Sequence, residues 1–393
     1  MRVLLLTGKG GVGKTSLSLA TALQAAAHGH RVFVLSTDSA HSLGDALGRP
    51  VGPRPQQIAP GVTAQEVTAL AELDRSWSEI QDWLSDLLLQ QGDEIVAEEL
   101  LVFPGLEELV SLRALREIEA SGDYDLCVVD CAPTGSTLRM LRLPDVLRML
   151  MENFWDWKRR TARVLRPVAN RIGLGRFVAP ERVFDAFEQL YAEIESVRQI
   201  LLDEQRTSAR LVVNPARVVV DETRRSFAYL CLHGIATDAV LINRLLPSQA
   251  AQGYFARWAE REREELADIE RSFPVPQLRA PLHEGELIGV EALAELGREL
   301  YGERDPAERF CDRRPLRLAK RDGVTVLSID VGSLESQDVD VLVRGDDLWI
   351  GVRDVERRVT LPESLVGLAV KSAELVDGVL EVAFESPGGA PAA

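Results

Sequence analysis

Five short runs of Val, Ile and Leu punctuate the first two-thirds of the chain, at Val3 to Leu6, Val32 to Leu35, Leu126 to Val129, Leu211 to Val213 and Val240 to Ile242. Each is apolar throughout rather than alternating, and long helical patterns separate them. Such runs fit central strands of a parallel sheet with helices on both faces. The pattern predicts a doubly wound α/β domain over residues 1–303. Ser16 to His28 supplies the first crossover helix and Gly29 its stop. Within about residues 70–115 and 140–205 the chain holds more helix-forming sequence than crossovers need, which predicts an inserted helical subdomain.

Near residue 303 the texture changes. Residues 304–321 hold seven basic and three acidic residues, two prolines and little apolar periodicity, and read as a linker. Short β patterns follow at Val324 to Ile329, Val339 to Val343, Leu348 to Val352, Arg358 to Pro362 and Leu380 to Phe384, with Gly-Asp-Asp and Asp-Gly turns between them. An all-β sandwich is expected over residues 322–386, with 387–393 as a flexible tail.

Charge narrows the function classes. The 393 residues carry 45 Lys+Arg against 61 Asp+Glu, a formal charge of −16. Nucleic-acid affinity rests on neutralising phosphates with a basic surface, so no nucleic-acid partner is expected. Residues 322–393 hold 14 acidic and five basic residues, so more than half of the net charge belongs to the β-domain. The N-terminal apolar run is too short for a signal peptide, and no stretch reaches eighteen uncharged apolar residues. Four cysteines without a Cys-x-x-Cys pair are too sparse for a disulfide framework. A reduced, cytoplasmic protein is expected, its membrane contact at most peripheral.

Gly8-Lys9-Gly10-Gly11-Val12-Gly13-Lys14-Thr15 satisfies the phosphate-loop pattern, directly after a strand and before a helix. Its glycines let backbone N–H groups converge on phosphate oxygens, aided by the positive end of the helix that starts near Ser16. Lys14 neutralises the β- and γ-phosphates, and Thr15 offers its hydroxyl to Mg²⁺. Only five of the 45 basic residues are lysines, yet Lys9 places a second one among the glycines. The Lys-Gly-Gly-x-Gly-Lys-Thr form resembles the deviant phosphate loops of the dimeric ATPases related to the septum-site and partition proteins, nitrogenase iron protein and the arsenite-pump ATPase. The resemblance implies a homodimer with ATP at its interface, Lys9 reaching the partner's phosphates in trans.

Two segments sharpen that resemblance. Val34-Leu-Ser-Thr-Asp38-Ser-Ala-His is similar to the first switch of the arsenite-pump and guided-entry ATPases, the latter being targeting factors for tail-anchored membrane proteins. Val128-Val-Asp130-Cys-Ala-Pro-Thr-Gly-Ser-Thr-Leu-Arg is similar to their second switch. By resemblance Asp38 orients or activates the attacking water, and Asp130 stands near Mg²⁺, with Thr15 and Asp38 completing the metal side. The family pattern differs at Ser39, Cys131 and Ser136, where proline, threonine and histidine are usual. Leu241-Ile-Asn243 resembles the segment whose asparagine bonds the purine, and Pro281-Leu-His-Glu-Gly resembles the loop covering the base.

Met140, Met149 and Met151 fall within twelve residues, followed by Phe154 and Trp155. Methionine suits surfaces that accept varied apolar partners. Such residues either pack the helical subdomain or, as the guided-entry resemblance implies, line a groove for hydrophobic client segments, with Leu84 and Leu88 on a second wall. Residues 158–176 hold seven basic residues and no acidic one, which fits a solvated helix face or contact with anionic lipid. A soft As(III) site needs converging thiolates, and Cys127, Cys131, Cys231 and Cys311 are scattered. Arg357-Arg-Val-Thr-Leu-Pro362 and Ala373-Glu-Leu-Val-Asp-Gly378-Val-Leu resemble the α-crystallin domain of small heat-shock proteins. The combined expectation is a Mg-ATP-hydrolysing homodimeric chaperone or targeting ATPase. An arsenite-type pump ATPase and a nucleotide-switched scaffold are the alternatives.

Overall fold

β1 (Arg2–Thr7), β2 (Val32–Ser36) and β5 (Leu126–Asp130) lie side by side, parallel and almost wholly buried. The structure, a computed structural model, describes residues 1–38, 42–67, 106–132, 181–321, 324–333, 339–344, 347–352, 355–361, 365 and 368–385. Successive strand residues face opposite ways. Val3, Leu5, Phe33, Leu35, Cys127 and Val129 therefore enter one core, and Leu4, Leu6, Val32, Val34, Leu126 and Val128 the other.

The full sheet has eight strands in the order β3-β4-β2-β5-β1-β6-β7-β8. It adds β3 (Gln56–Ala59), β4 (Val62–Glu66), β6 (Thr207–Val213), β7 (Thr237–Leu245) and β8 (Gln277–Pro281). Every pairing is parallel except β3 with β4. On one face pack α1 (Lys14–Ala27), α2 (Ser42–Leu47) and α7 (Val290–Tyr301), through residues such as Leu17, Leu43 and Leu296. The opposite face takes α3 (Leu106–Ser121), α4 (Glu181–Leu202), α5 (Arg217–Leu232) and α6 (Ala256–Ser272). α3 and α4 are the described ends of the stretches expected to form a helical subdomain. They pack against each other and on the sheet, joined by Arg113 and Glu193.

The C-terminal domain is two antiparallel sheets. β9 (Leu316–Arg321), β10 (Val324–Asp330), β14 (Ala369–Val376) and β15 (Val379–Glu385) form one, in the order β14-β15-β10-β9. β11 (Val339–Arg344), β12 (Asp347–Val352) and β13 (Val355–Thr360) form the other. Leu327, Ile329, Leu348, Ile350, Val382 and Phe384 share one core between them. Asp377 and Gly378 both take positive φ (48° and 75°), the tight turn that joins β14 to β15. A Cβ on Gly378 would sit 2.3 Å from Gly332 O, so the turn also packs backbone on backbone.

The expected linker at 304–321 is corrected by the structure. Its last third is β9, an edge strand whose basic side chains hid its pairing to β10 because they point to solvent. Its first half is clamped to the α/β domain. Fully buried Arg210 donates to Asp238 at 2.9 Å and to Glu308 O at 2.9 Å, and Phe310 covers its guanidinium at 4.1 Å. Arg313 then pairs with Asp330 of β10 at 2.7 Å.

Candidate nucleotide site

The phosphate loop links β1 to α1. A Cβ on Gly8 would lie 2.4 Å from Val212 O, so β6 leaves room for nothing but hydrogen there. Gly13 has φ +93°, and a Cβ on it would lie 2.3 Å from Asn243 Nδ2. α1 opens without a side-chain cap and without an acidic residue in its first turn. Its free N–H groups and its dipole are therefore left for an anion. Buried Lys14 curls back over the loop, its Nζ donating to Lys9 O at 3.3 Å. Lys9 meets Glu222 of α5 within the same chain at 3.3 Å.

The two switch strands are tied together at their C-terminal ends. Thr37 N donates to Asp130 O at 3.0 Å, and Ala132 N donates to Thr37 Oγ1 at 3.4 Å. Asp38 follows, half-buried, with its N–H on Ser36 Oγ at 3.4 Å. Asp130 is wholly buried. Ser18 Oγ donates to its Oδ1 at 3.0 Å, whereas Oδ2 is buried without a hydrogen-bond partner among the described residues. Thr15 Oγ1 shares a 2.9 Å hydrogen bond with Ser42 Oγ rather than closing on Oδ2. Burial raises the Asp130 carboxyl to about 6; nearby Asp38 adds to the rise, and Thr15, Ser18 and Lys14 oppose it. An orphaned carboxylate oxygen, a second carboxylate and a hydroxyl form an all-oxygen donor set that suits a hard divalent cation. Among the described residues no cluster of three or more His, Cys, Asp or Glu side chains is placed to hold a metal ion. Mg²⁺ at Asp130, Thr15 and Asp38 would thus draw further ligands from phosphates and water.

Gly13, Ser16, Asn243 and Pro281, far apart in sequence, line one cleft of about 580 Å³. Leu282 to Ile288 form its outer wall, fixed by His283 on Glu299 at 2.9 Å. Asn243 faces the loop, its Nδ2 on Val12 O at 2.8 Å and its Oδ1 accepting from Arg244 N at 2.9 Å. Arg244, at φ 60°, donates to Gly11 O at 3.0 Å. The end of β7 thereby straps the loop in place. Sequence reasoning missed this strap, as well as Ser18, Ser42 and Glu66. Glu66 Oε1 accepts from Leu43 N at 2.8 Å and Gly44 N at 3.1 Å, capping α2 behind the first switch. Position at strand ends marks Glu66 and Arg244; nothing local marks Ser18 or Ser42.

Met140, Met149, Met151, Phe154, Trp155, Leu84, Leu88 and the basic stretch 158–176 lie outside the described residues.

Residues 1–302 match the family model of anion-transporting ATPases, and residues 322–384 match the HSP20-like domain found in those proteins. The chain belongs to the ArsA family of ATPases. Its relatives agree. A Chlorobaculum tepidum protein provisionally named an arsenical pump-driving ATPase is 35% identical over 98% of this chain and 96% of its own length. A similarly named protein of Aquifex aeolicus is 31% identical over 95% of this chain and 98% of its own length. ATPase GET3B of Arabidopsis thaliana is 28% identical over 75% of this chain and 77% of its own length. As an ArsA-family ATPase the chain binds and hydrolyses ATP.

Proposed function

We propose that this ArsA-family ATPase works as a homodimer that binds hydrophobic segments of client polypeptides, membrane-protein segments among them, under control of Mg-ATP hydrolysis. Lys14 holds the phosphates of its own site, Lys9 leaves Glu222 for those of the partner, and Asp38 orients the attacking water. Bound Mg²⁺ neutralises charge on the phosphates. The observation that carries the client reading is topological. β4 and β5 flank β2 in the sheet, and at their catalytic ends they lead into residues 68–105 and 133–180, whose sequences hold Leu84, Leu88 and the methionine cluster. The chain therefore runs from the strand bearing Asp130, and from the strand whose Glu66 caps α2, into the segments suited to apolar clients.

The pump reading, which the names of several relatives suggest, meets an observation against it. Cys127, Cys131 and Cys231 are buried, and Cys311 is half-buried in the segment after α7. Burial pushes the thiols of Cys127, Cys231 and Cys311 up, away from the thiolate that As(III) requires. All four cysteines are free, which supports a reducing, cytoplasmic setting.

The test is binding of a fluorescent transmembrane-helix peptide to the full chain in Mg-ATP and in ADP. Affinity that differs between the two states, and falls with Met149→Glu or Met151→Glu, supports the reading. Absence of peptide binding in every nucleotide state refutes it.

A further inference from the structure

The outer wall of the cleft for the base, Leu282 to Ile288, reaches beyond the cleft to the helix that follows the first switch. Its near end is tied to the sheet, where Leu282 N donates to Leu245 O at 2.7 Å. Its far end is tied to α2. Gly289 N donates to Ala46 O at 2.9 Å, and the half-exposed Ile288 lies over Gly48, just past the last turn of that helix. Gly48 has φ +64°, and a Cβ on it would lie 3.0 Å from Ile288 Cγ2, so glycine there serves both the turn and the close approach of the isoleucine. At its other end α2 meets the phosphate loop, through the 2.9 Å hydrogen bond between Ser42 Oγ and Thr15 Oγ1. Ser42 follows Asp38 by four positions. α2 thus stands between the base wall and the phosphate end of one site, and its Asp45 lines the cleft directly.

We propose that Ile288 is a positioning residue for ATP turnover: through its contact with Gly48, and the Gly289–Ala46 bond beside it, a base in the cleft fixes α2, and α2 fixes the first switch and the Thr15 hydroxyl. The inference rests on the reading of this cleft as the base site, and it gives the wall a role that touching the base would not. The physical reason is the brevity of α2. Its six residues form too few internal hydrogen bonds to hold it by themselves, so its place depends on what it touches. Leu43 and Leu47 enter the core, and Glu66 takes the Leu43 and Gly44 N–H groups. Those contacts belong to the fold, whereas the wall at Ile288 and Gly289 is ordered by what fills the cleft. Turnover needs the groups around the reacting phosphate held closely, since a displacement of about 1 Å can lower the rate about 100-fold. A base that orders the wall therefore raises kcat. An apolar contact with the base alone would act equally on ground and transition states and would show in KM.

Side-chain shape supplies the test, because valine keeps the Cγ2 methyl of Ile288 and leucine, equal to isoleucine in size, lacks it. In steady-state turnover of the full chain with Mg-ATP, Ile288→Leu should lower kcat at least about fivefold with KM changed by less than about twofold, and Ile288→Val should stay within about twofold of the parent in both. A second readout needs neither metal nor turnover: amide hydrogen exchange in ADP with EDTA, against the nucleotide-free protein. ADP should slow exchange in residues 282–289 and in residues 43–49 of the parent and of Ile288→Val, but in residues 282–289 alone of Ile288→Leu. An Ile288→Leu variant that matches the parent in kcat or in exchange overturns the inference. A rise in KM at constant kcat, or a valine variant as impaired as the leucine one, also overturns it, since either marks a side chain that merely touches the base. A parent whose residues 282–289 gain no protection from ADP removes the base assignment and this inference together. Protection there without protection of residues 43–49 removes this inference alone.

Discussion

Asp130 supplies a prediction whose size can be worked from the site. Burial lifts its carboxyl from the ordinary 3.8 to about 6. At about 1.4 kcal/mol per pH unit, keeping it ionised costs the nucleotide-free protein about 3 kcal/mol. Because the folded pKa lies above the unfolded one, the native state holds the extra proton between about pH 4 and 6. Stability attributable to this group therefore falls as pH rises through that window and stays lower above it. Asp130→Asn removes the charge and keeps an oxygen for the Ser18 hydroxyl. It also places an amide where Oδ2 has no partner among the described residues, at a cost of about 2 kcal/mol that does not vary with pH. The variant should thus exceed the parent by about 1 kcal/mol at pH 7.5 and fall below it by about 2 kcal/mol near pH 4. Urea titrations of both proteins without nucleotide, at several pH values, measure the gap. A gap that changes by less than about 1 kcal/mol across the window would refute a charge held at a cost. If Asp130 holds Mg²⁺ as proposed, Mg-ATP should stabilise the variant less than the parent.

Three further outcomes follow from particular contacts. Arg210→Met leaves Asp238 buried with Arg2, at 3.0 Å, as its one charged partner among the described residues, and should cost about 3 kcal/mol in a urea titration; a loss below about 1 kcal/mol would show that the clamp is dispensable. Gly13→Ala places a Cβ 2.3 Å from Asn243 Nδ2, so titration with a fluorescent ATP analogue should show binding at least about tenfold weaker in a protein that still melts cooperatively. Arsenite should leave ATP turnover unchanged at neutral pH. Stimulation that Cys→Ser substitutions abolish would restore the pump reading.

The parallel core was legible because its strands are apolar on both faces, and the phosphate loop because it needs both spacing and context. What escaped was edge structure. β3, β4 and β8 mix Gln, Arg and Thr into short strands, and β9 and β14 are exposed along most of their length, so none carries a continuous apolar signal. The site divides in the same way. Asn243 and Pro281 sit at strand ends where a doubly wound sheet binds ligands, and the structure brings both to one cleft with Gly13 and Ser16. That Asn243 bonds the phosphate loop, that Lys9 rests on Glu222 and that Ser18 holds Asp130 are facts of three-dimensional proximity between positions up to 231 residues apart.

α5 joins what the sequence reading kept separate. Glu222 in its second turn holds Lys9, while Ala228, Tyr229 and Leu232 near its other end enter the core of the β-sandwich. Seven residues of helix, about 10 Å, separate Glu222 from Tyr229. Gly332 of the sandwich packs so close to Phe227 of the same helix that a Cβ would lie 2.9 Å from its ring. The acidic β-domain is therefore mounted on the helix that holds the early lysine, not hung from a tether. The Lys9–Glu222 ion pair therefore sits at one end of an element whose other end is seated in the other domain. Deleting residues 322–393 would also uncover Ala228, Tyr229 and Leu232, so lost activity in a truncated chain would report a damaged α5 as readily as a missing client surface. Substitutions on exposed positions of β9 and β14, which touch neither α5 nor the core, separate the two.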